Sequence, residues 1–253
     1  MRSPLTPPLS SATASQGDPA SVSVGSSDAP RPDASLISPD LPRARGLASG
    51  TMLLTRDGMM PVDWITLGDE LWTQDNGWQP VRWRGLRQFG AGPGFDHPIE
   101  IRPDALGPGN PAEPLLVAPD QRLNLSGAPC ELCFGKVEVL VRARDLLHWP
   151  GVSRVIRDPD YAYHLFLFDR HEVLMTGGTG LESLFLGDTI CMEDPVPAWK
   201  LVRILRFGHD KAARLCVTAH EAHALPPGAF PDTLLTPDTV ADDASESPAQ
   251  AVA

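Results

Sequence analysis

The chain has 253 residues, of which 42% are hydrophobic, enough to bury one good-sized core or two small ones. Its formal net charge of -11 excludes nucleic acid and anionic membrane as partners, because phosphate would be repelled rather than neutralised. No run approaches the roughly 20 apolar residues that span a bilayer, the opening MRSPLTPPLSSATASQGDPASVSVG lacks the apolar core of a secretory signal, and four cysteines are too few for a disulfide framework. A cytoplasmic protein, or one exported by a non-classical route, fits these features. No cofactor motif is present, and the partner class left open is another protein.

Residues 1–44 are rich in Pro, Ser, Ala and Asp and carry almost no periodic apolar signal, so a disordered leader is expected. TMLLT (51–55) then meets Arg56, Asp57 and Gly58, a strand followed by a turn dipeptide and a return. ELWTQDNGWQPVRWRGLRQF repeats the device at Asn76-Gly77, and Val81 and Trp83 alternate with Arg82 and Arg84 as on a half-buried strand. Further strands are expected at IEIRP (99–103), PLLVAP (114–119), RLNL (122–125), VEVLV (137–141), YHLFLF (163–168) and HEVLM (171–175). Helical signal is sparse: VRARDLLHW reads as a brief helix or turn, and ESLFL before Gly187-Asp188 as another. The expected organisation is an all-β domain over 45–190, a C-terminal extension packed on or beside it over 191–228, and a disordered tail over 229–253.

Three groups of side chains invite a chemical reading. Cys130-Glu131-Leu132-Cys133 has the spacing of half a zinc site, but no second pair follows and His148 and Cys191 would have to be recruited from afar, so both cysteines read as small core hydrophobes. His209, His220, Glu221 and His223 suggest a metal-dependent hydrolase; the spacing of three keeps His220 and His223 on one helix face, yet no third ligand is evident and surface histidines are expected instead. Trp64, Trp72, Trp78 and Trp83 read as core and hairpin packing rather than a ligand groove. No metal site is assigned.

The segments SGTMLLTRDG, PVDWITLGDELWTQDNGWQPVRWRG, LLVAPDQRLNLSG, VEVLVRARDL and YAYHLFLFDRHEVLMTGGTGLESLFLGD, in this order over roughly 46 to 190, resemble the bacterial branch of the Hedgehog/intein (Hint) family of self-processing domains. The resemblance implies a compact, pseudo-two-fold, all-β horseshoe whose two ends meet at one site. It also implies a chemistry in which a Cys or Ser at the module's first residue attacks the carbonyl just before it. Setting the family's Gly-Thr on Gly50 and Thr51 places that first residue on Gly46, which has no nucleophile. Ser49 is the nearest hydroxyl, three residues on, which in an extended chain is about 10 Å away and on the opposite face.

The family's general acid, a His closing a Thr-x-x-His-like motif, falls on Gln121 within Ala118-Pro119-Asp120-Gln121, and an amide cannot deliver a proton near neutral pH. His164 falls where many inteins carry an Asp, and His171 where a His precedes the next strand; with Asp169 and Glu172 they suggest a pH-sensitive cluster, though a His in such a strand more often satisfies a backbone partner. The His-Asn that ends splicing members is replaced by Glu182-Ser183. The family-site positions are therefore Gly46, Thr51, Asp120, Gln121, His164 and His171. The resemblance, with these departures, implies a degenerate Hint module without self-splicing or autoprocessing, retained for structure or interaction. The alternatives are an autoproteolytic module cleaving near 46–49 and the metal-dependent hydrolase.

Overall fold

The computed structural model describes residues 45–88, 97–156, 162–187 and 209–231, and these form two sheets of short strands. The leader 1–44, Asp188, Cys191 and the tail from 232 lie outside the described residues. In chain order the strands are β1 (Leu47–Ala48), β2 (Met52–Thr55), β3 (Gly58–Pro61), β4 (Glu70–Thr73), β5 (Gly77–Pro80), β6 (Trp83–Gln88), β7 (Ile99–Ile101), β8 (Leu115–Val117), β9 (Arg122–Ser126), β10 (Glu138–Arg142), β11 (Val152–Arg154), β12 (Ala162–Leu167), β13 (Val173–Thr176), β14 (Thr179–Glu182) and β15 (Leu215–Cys216). One sheet runs β11-β7-β8-β1-β12-β6; the other runs β15-β10-β9-β14-β13-β4-β2-β3, with β5 paired to β4. This is the all-β class expected, and no helix among the described residues is long and apolar enough to cross a membrane.

Local chemistry accounts for the hairpins. Arg56-Asp57 closes β2 onto β3, with the Thr55 hydroxyl donating to the Gly58 carbonyl at 2.8 Å and accepting the Asp57 N–H at 3.1 Å. In the next hairpin Gly77 takes φ 63°, a left-handed value that an L side chain would resist, and so lets β5 return along β4. Trp72 and Trp78 then face each other across the ladder, edge to face with centroids 5.1 Å apart, and the Arg56 guanidinium lies 5.0 Å over the Trp78 ring. Trp78→Ala should remove both interactions and lower stability by about 1–2 kcal/mol, read as a lower midpoint in urea. An unchanged midpoint would show the pair to be ornamental. The free edge at β3 is blunted: Pro61 has no N–H, and its carbonyl already accepts the Trp64 N–H at 3.0 Å.

The chain changes sheet five times, after Ala48, Pro80, Val117, Arg142 and Leu167, and these crossings bring distant residues together. Between the sheets lies a core that includes Leu47, Leu71, Val117, Leu123, Phe166 and Leu181. The segment after residue 208 completes it. β15 adds a parallel strand beside β10, and α2 (Ala219–Ala222) is capped by Thr218 and Glu221 in a reciprocal capping box. Phe230 stacks on the buried Trp149 at 5.6 Å, and its N–H donates to the Leu106 carbonyl at 2.8 Å.

Several expectations change. ESLFL is no helix: Glu182 ends β14 opposite Val173, and the N–H groups of Ser183 and Leu184 donate across to the carbonyls of Glu172 at 2.9 Å and Phe166 at 2.8 Å. APCELCF instead forms α1 (Ala128–Phe134), with Pro in its first turn and Gly135 closing it at φ 63°. Cys130 is buried on that helix while Cys133 is exposed, so only the first is a core residue. Trp64 is 72% exposed and belongs to no core. VRARDLLHW supplies a 3₁₀ turn at Ala143–Leu146.

Candidate functional site

β1 lies between β8 and β12, which sets Gly46 at the mouth of a narrow cleft lined also by Arg45, Gln121, His164, Glu182 and Ser183. The Gly46 carbonyl accepts the Ala118 N–H at 3.0 Å, and its own N–H donates to Gln121 Oε1 at 3.0 Å. The Gln121 amide has one orientation that fits, since its Nε2 donates to the carbonyls of Glu182 at 2.8 Å and Arg122 at 3.2 Å. Gln121 thus ties the start of the module to the end of β14 while presenting an acceptor, not a donor, to the Arg45–Gly46 amide.

An acceptor on an amide N–H favours the planar, resonance-stabilised form of the bond. Breaking it requires the reverse, a proton delivered to the nitrogen. Gly46 also has φ 118°, and a Cβ built there would sit 2.8 Å from the His164 carbonyl oxygen and 3.0 Å from Tyr163 Cβ. The space a nucleophilic side chain would need is filled by backbone.

The His164 imidazole serves another cluster. It is 2% exposed, its Nε2 lies 3.1 Å from Ser49 Oγ and 3.2 Å from Asp63 Oδ1, and its Nδ1 lies 3.0 Å from Arg84 Nη2. Guanidinium only donates, so Nδ1 accepts and the ring proton sits on Nε2. Burial lowers its pKa to about 4, with Asp63 pulling the other way and Arg84 adding to the fall, so the ring is neutral near pH 7. An Nε2 that already carries a proton cannot take one from Ser49. Burial pushes the Asp63 carboxyl up, but the Gly50 N–H, the Ser49 hydroxyl and His164 outweigh it and leave Asp63 below its ordinary value. Such a carboxylate is a weak base for a serine.

Thr51 and Asp120 have structural work. The Thr51 hydroxyl donates to the Ala48 carbonyl at 2.7 Å, closing the turn after β1, and Asp120 is 2.9 Å from Arg144 Nη2. His171 lies apart from Asp169, which pairs with Arg82 at 2.6 Å; its Nδ1 accepts the Ala213 N–H at 2.8 Å and its Nε2 is 3.2 Å from Glu182 Oε1.

Glu182, 5% exposed, also binds Arg122 Nη1 at 2.7 Å. Burial raises its pKa, and His171, Arg122 and Arg45 together more than offset that. Sequence reasoning misses this Arg122–Glu182–His171 group, because sixty residues separate the ion pair and nothing local signals it. Exposed His220 and His223 sit on or beside α2, and no group of three metal-ligating side chains occurs among the described residues.

No curated protein matches the chain significantly. Among solved structures it is similar to a bacterial intein-like domain from Clostridium thermocellum, at 13% identity over 55% of this chain and 99% of that one with a TM-score of 0.37. It is likewise similar to the AceL NrdHF class 3 split intein in a splice-inactive variant, at 13% identity over 55% and 98% with a TM-score of 0.37. A family model described as "Hint domain" matches residues 45–188, more than half the chain and the whole stretch that brings Gly46, Gln121 and Glu182 together, so the chain belongs to the Hint domain family.

Proposed function

We propose that this Hint domain performs neither self-splicing nor autoprocessing and serves as a structural or interaction module. The observation that carries the reading is the state of the Arg45–Gly46 bond: no nucleophile follows it, and its N–H is held by the acceptor oxygen of Gln121. Supporting it, Ser49 is the first hydroxyl after that bond in the sequence, and the neutral Nε2–H of His164 leaves that hydroxyl unactivated. Glu182 and Ser183, where splicing members carry His-Asn, offer no side-chain amide to cyclise. The full chain incubated with thiol at neutral pH should keep its intact mass. A break between residues 45 and 49 would overturn the proposal and favour the autoproteolytic reading instead.

A further inference from the structure

Beyond the residues matched to the family, the described segment that begins at His209 lies against the domain, and two imidazoles hold it there. Ala213 donates its N–H to His171 Nδ1 at 2.8 Å. His209, 1% exposed, accepts the Leu186 N–H on Nδ1 at 3.4 Å and donates from Nε2 to the Phe168 carbonyl at 3.1 Å. The Phe185 ring stacks on both, with centroids 4.5 Å from His171 and 6.1 Å from His209. A ring nitrogen that faces a backbone N–H must be an acceptor, so each imidazole carries its single proton on Nε2. A second proton can bind only at Nδ1, where it confronts that N–H.

We propose that residues 209–217 form a strap released from the edge of the sheet by acid, with His209 as the proton sensor. His171 is faced by Glu182 from β14, with Arg122 from β9 on the same carboxylate, and it follows Arg170 and precedes Glu172 in the chain. Asp169 and His171 act on His209, and Asp210 follows it. Asp169 only partly offsets the burial of His209, and a proton acquired at Nδ1 displaces the Leu186 N–H that this nitrogen accepts. Burial lowers the His209 pKa while the strap is docked.

The docked state therefore binds fewer protons than the released one. Its stability is fully present above the free imidazole value of about 6.5 and declines as pH falls below it. Arg214 is held to Asp75 and Glu138 by ion pairs that contain no imidazole, so loosening begins at 209–213 and then reaches β15. Release leaves β10, now paired with Leu215 and Cys216, as the open edge of its sheet.

Hydrogen exchange of the full chain at pH 7.5 and 5.5, corrected for the intrinsic pH dependence of exchange, tests this without reference to self-cleavage. Amides of 212–217 and 139–141 should exchange at least about tenfold faster at pH 5.5, the factor for one histidine a unit below its free value, while β12 and β13 stay protected. In H209Q, whose amide keeps an acceptor near Nδ1 but does not titrate, the acceleration should vanish. Equal protection of the wild-type strap at both pH values would overturn the proposal, as would an undiminished acid response in the variant. If the variant does not fold, the wild-type comparison decides alone.

Discussion

Glu182→Ala is expected to cost about 3–5 kcal/mol, the range for removing one partner of a buried ion pair and stranding the other. Arg122 is 9% exposed and points its Nη1 at Glu182 Oε1 from 2.7 Å, so losing that carboxylate removes a buried counter-charge from a nearly buried guanidinium. Glu182→Gln keeps the shape and should be less destabilising. Since stabilities of whole domains are about 5–15 kcal/mol, urea denaturation at pH 7 separates the three proteins easily, and coincident curves for wild type and Glu182→Ala would sink the account. Pairing Glu182→Leu with Arg122→Met should recover part of the stability, because a buried apolar pair needs no charge compensation.

The same group sets an acid limb. Its partners hold the folded-state pKa of Glu182 below the ordinary 4.5 although burial alone would raise it. A depressed carboxylate contributes stability that is fully present above the unfolded value and is lost as pH falls through the folded one. Wild-type stability should therefore fall below about pH 4.5 more steeply than that of Glu182→Gln, which has no proton to bind there. This limb lies well below the imidazole window of the strap, so one titration distinguishes the two.

How far the sequence reveals these features depends on the range of the interactions. Hairpins are legible because their cause is local: Asp57-Gly58 and Asn76-Gly77 mark chain reversals whatever surrounds them. The order of five segments singles out Gly46 and Gln121 as candidate positions, and the two residues meet at 3.0 Å. Two misreadings are local as well. The Cys130 and Cys133 spacing draws attention from the Pro129 and Gly135 that delimit a helix, and the apolar run ESLFL suggests a helix by propensity where hydrogen bonds to Glu172 and Phe166 on neighbouring segments decide the outcome. What no local pattern can reveal are contacts such as Phe230 on Trp149, Ala213 on His171 and Arg122 on Glu182. Each exists only once the sheets have formed.

Gly46 shows how that long-range context alters an experiment designed from sequence. Restoring a nucleophile there looks like a simple side-chain repair, yet Gly46→Cys should destabilise the protein by about 2–4 kcal/mol, combining a strained backbone with overpacking. The cause is φ 118° and a Cβ only 2.8 Å from the His164 carbonyl, so Gly46→Ala, which adds no thiol, should cost nearly the same. An Ala variant as stable as wild type would remove the steric argument. Gly46→Cys alone should give no thiol-induced cleavage, because Gln121 Oε1 still accepts the N–H of the bond to be broken. Adding Gln121→His replaces that acceptor with a group able to donate a proton, and the double variant should cleave more than either single one. Reduced stability without cleavage in the double variant would mean that the backbone around residue 46, and not only two side chains, has left the geometry the chemistry needs.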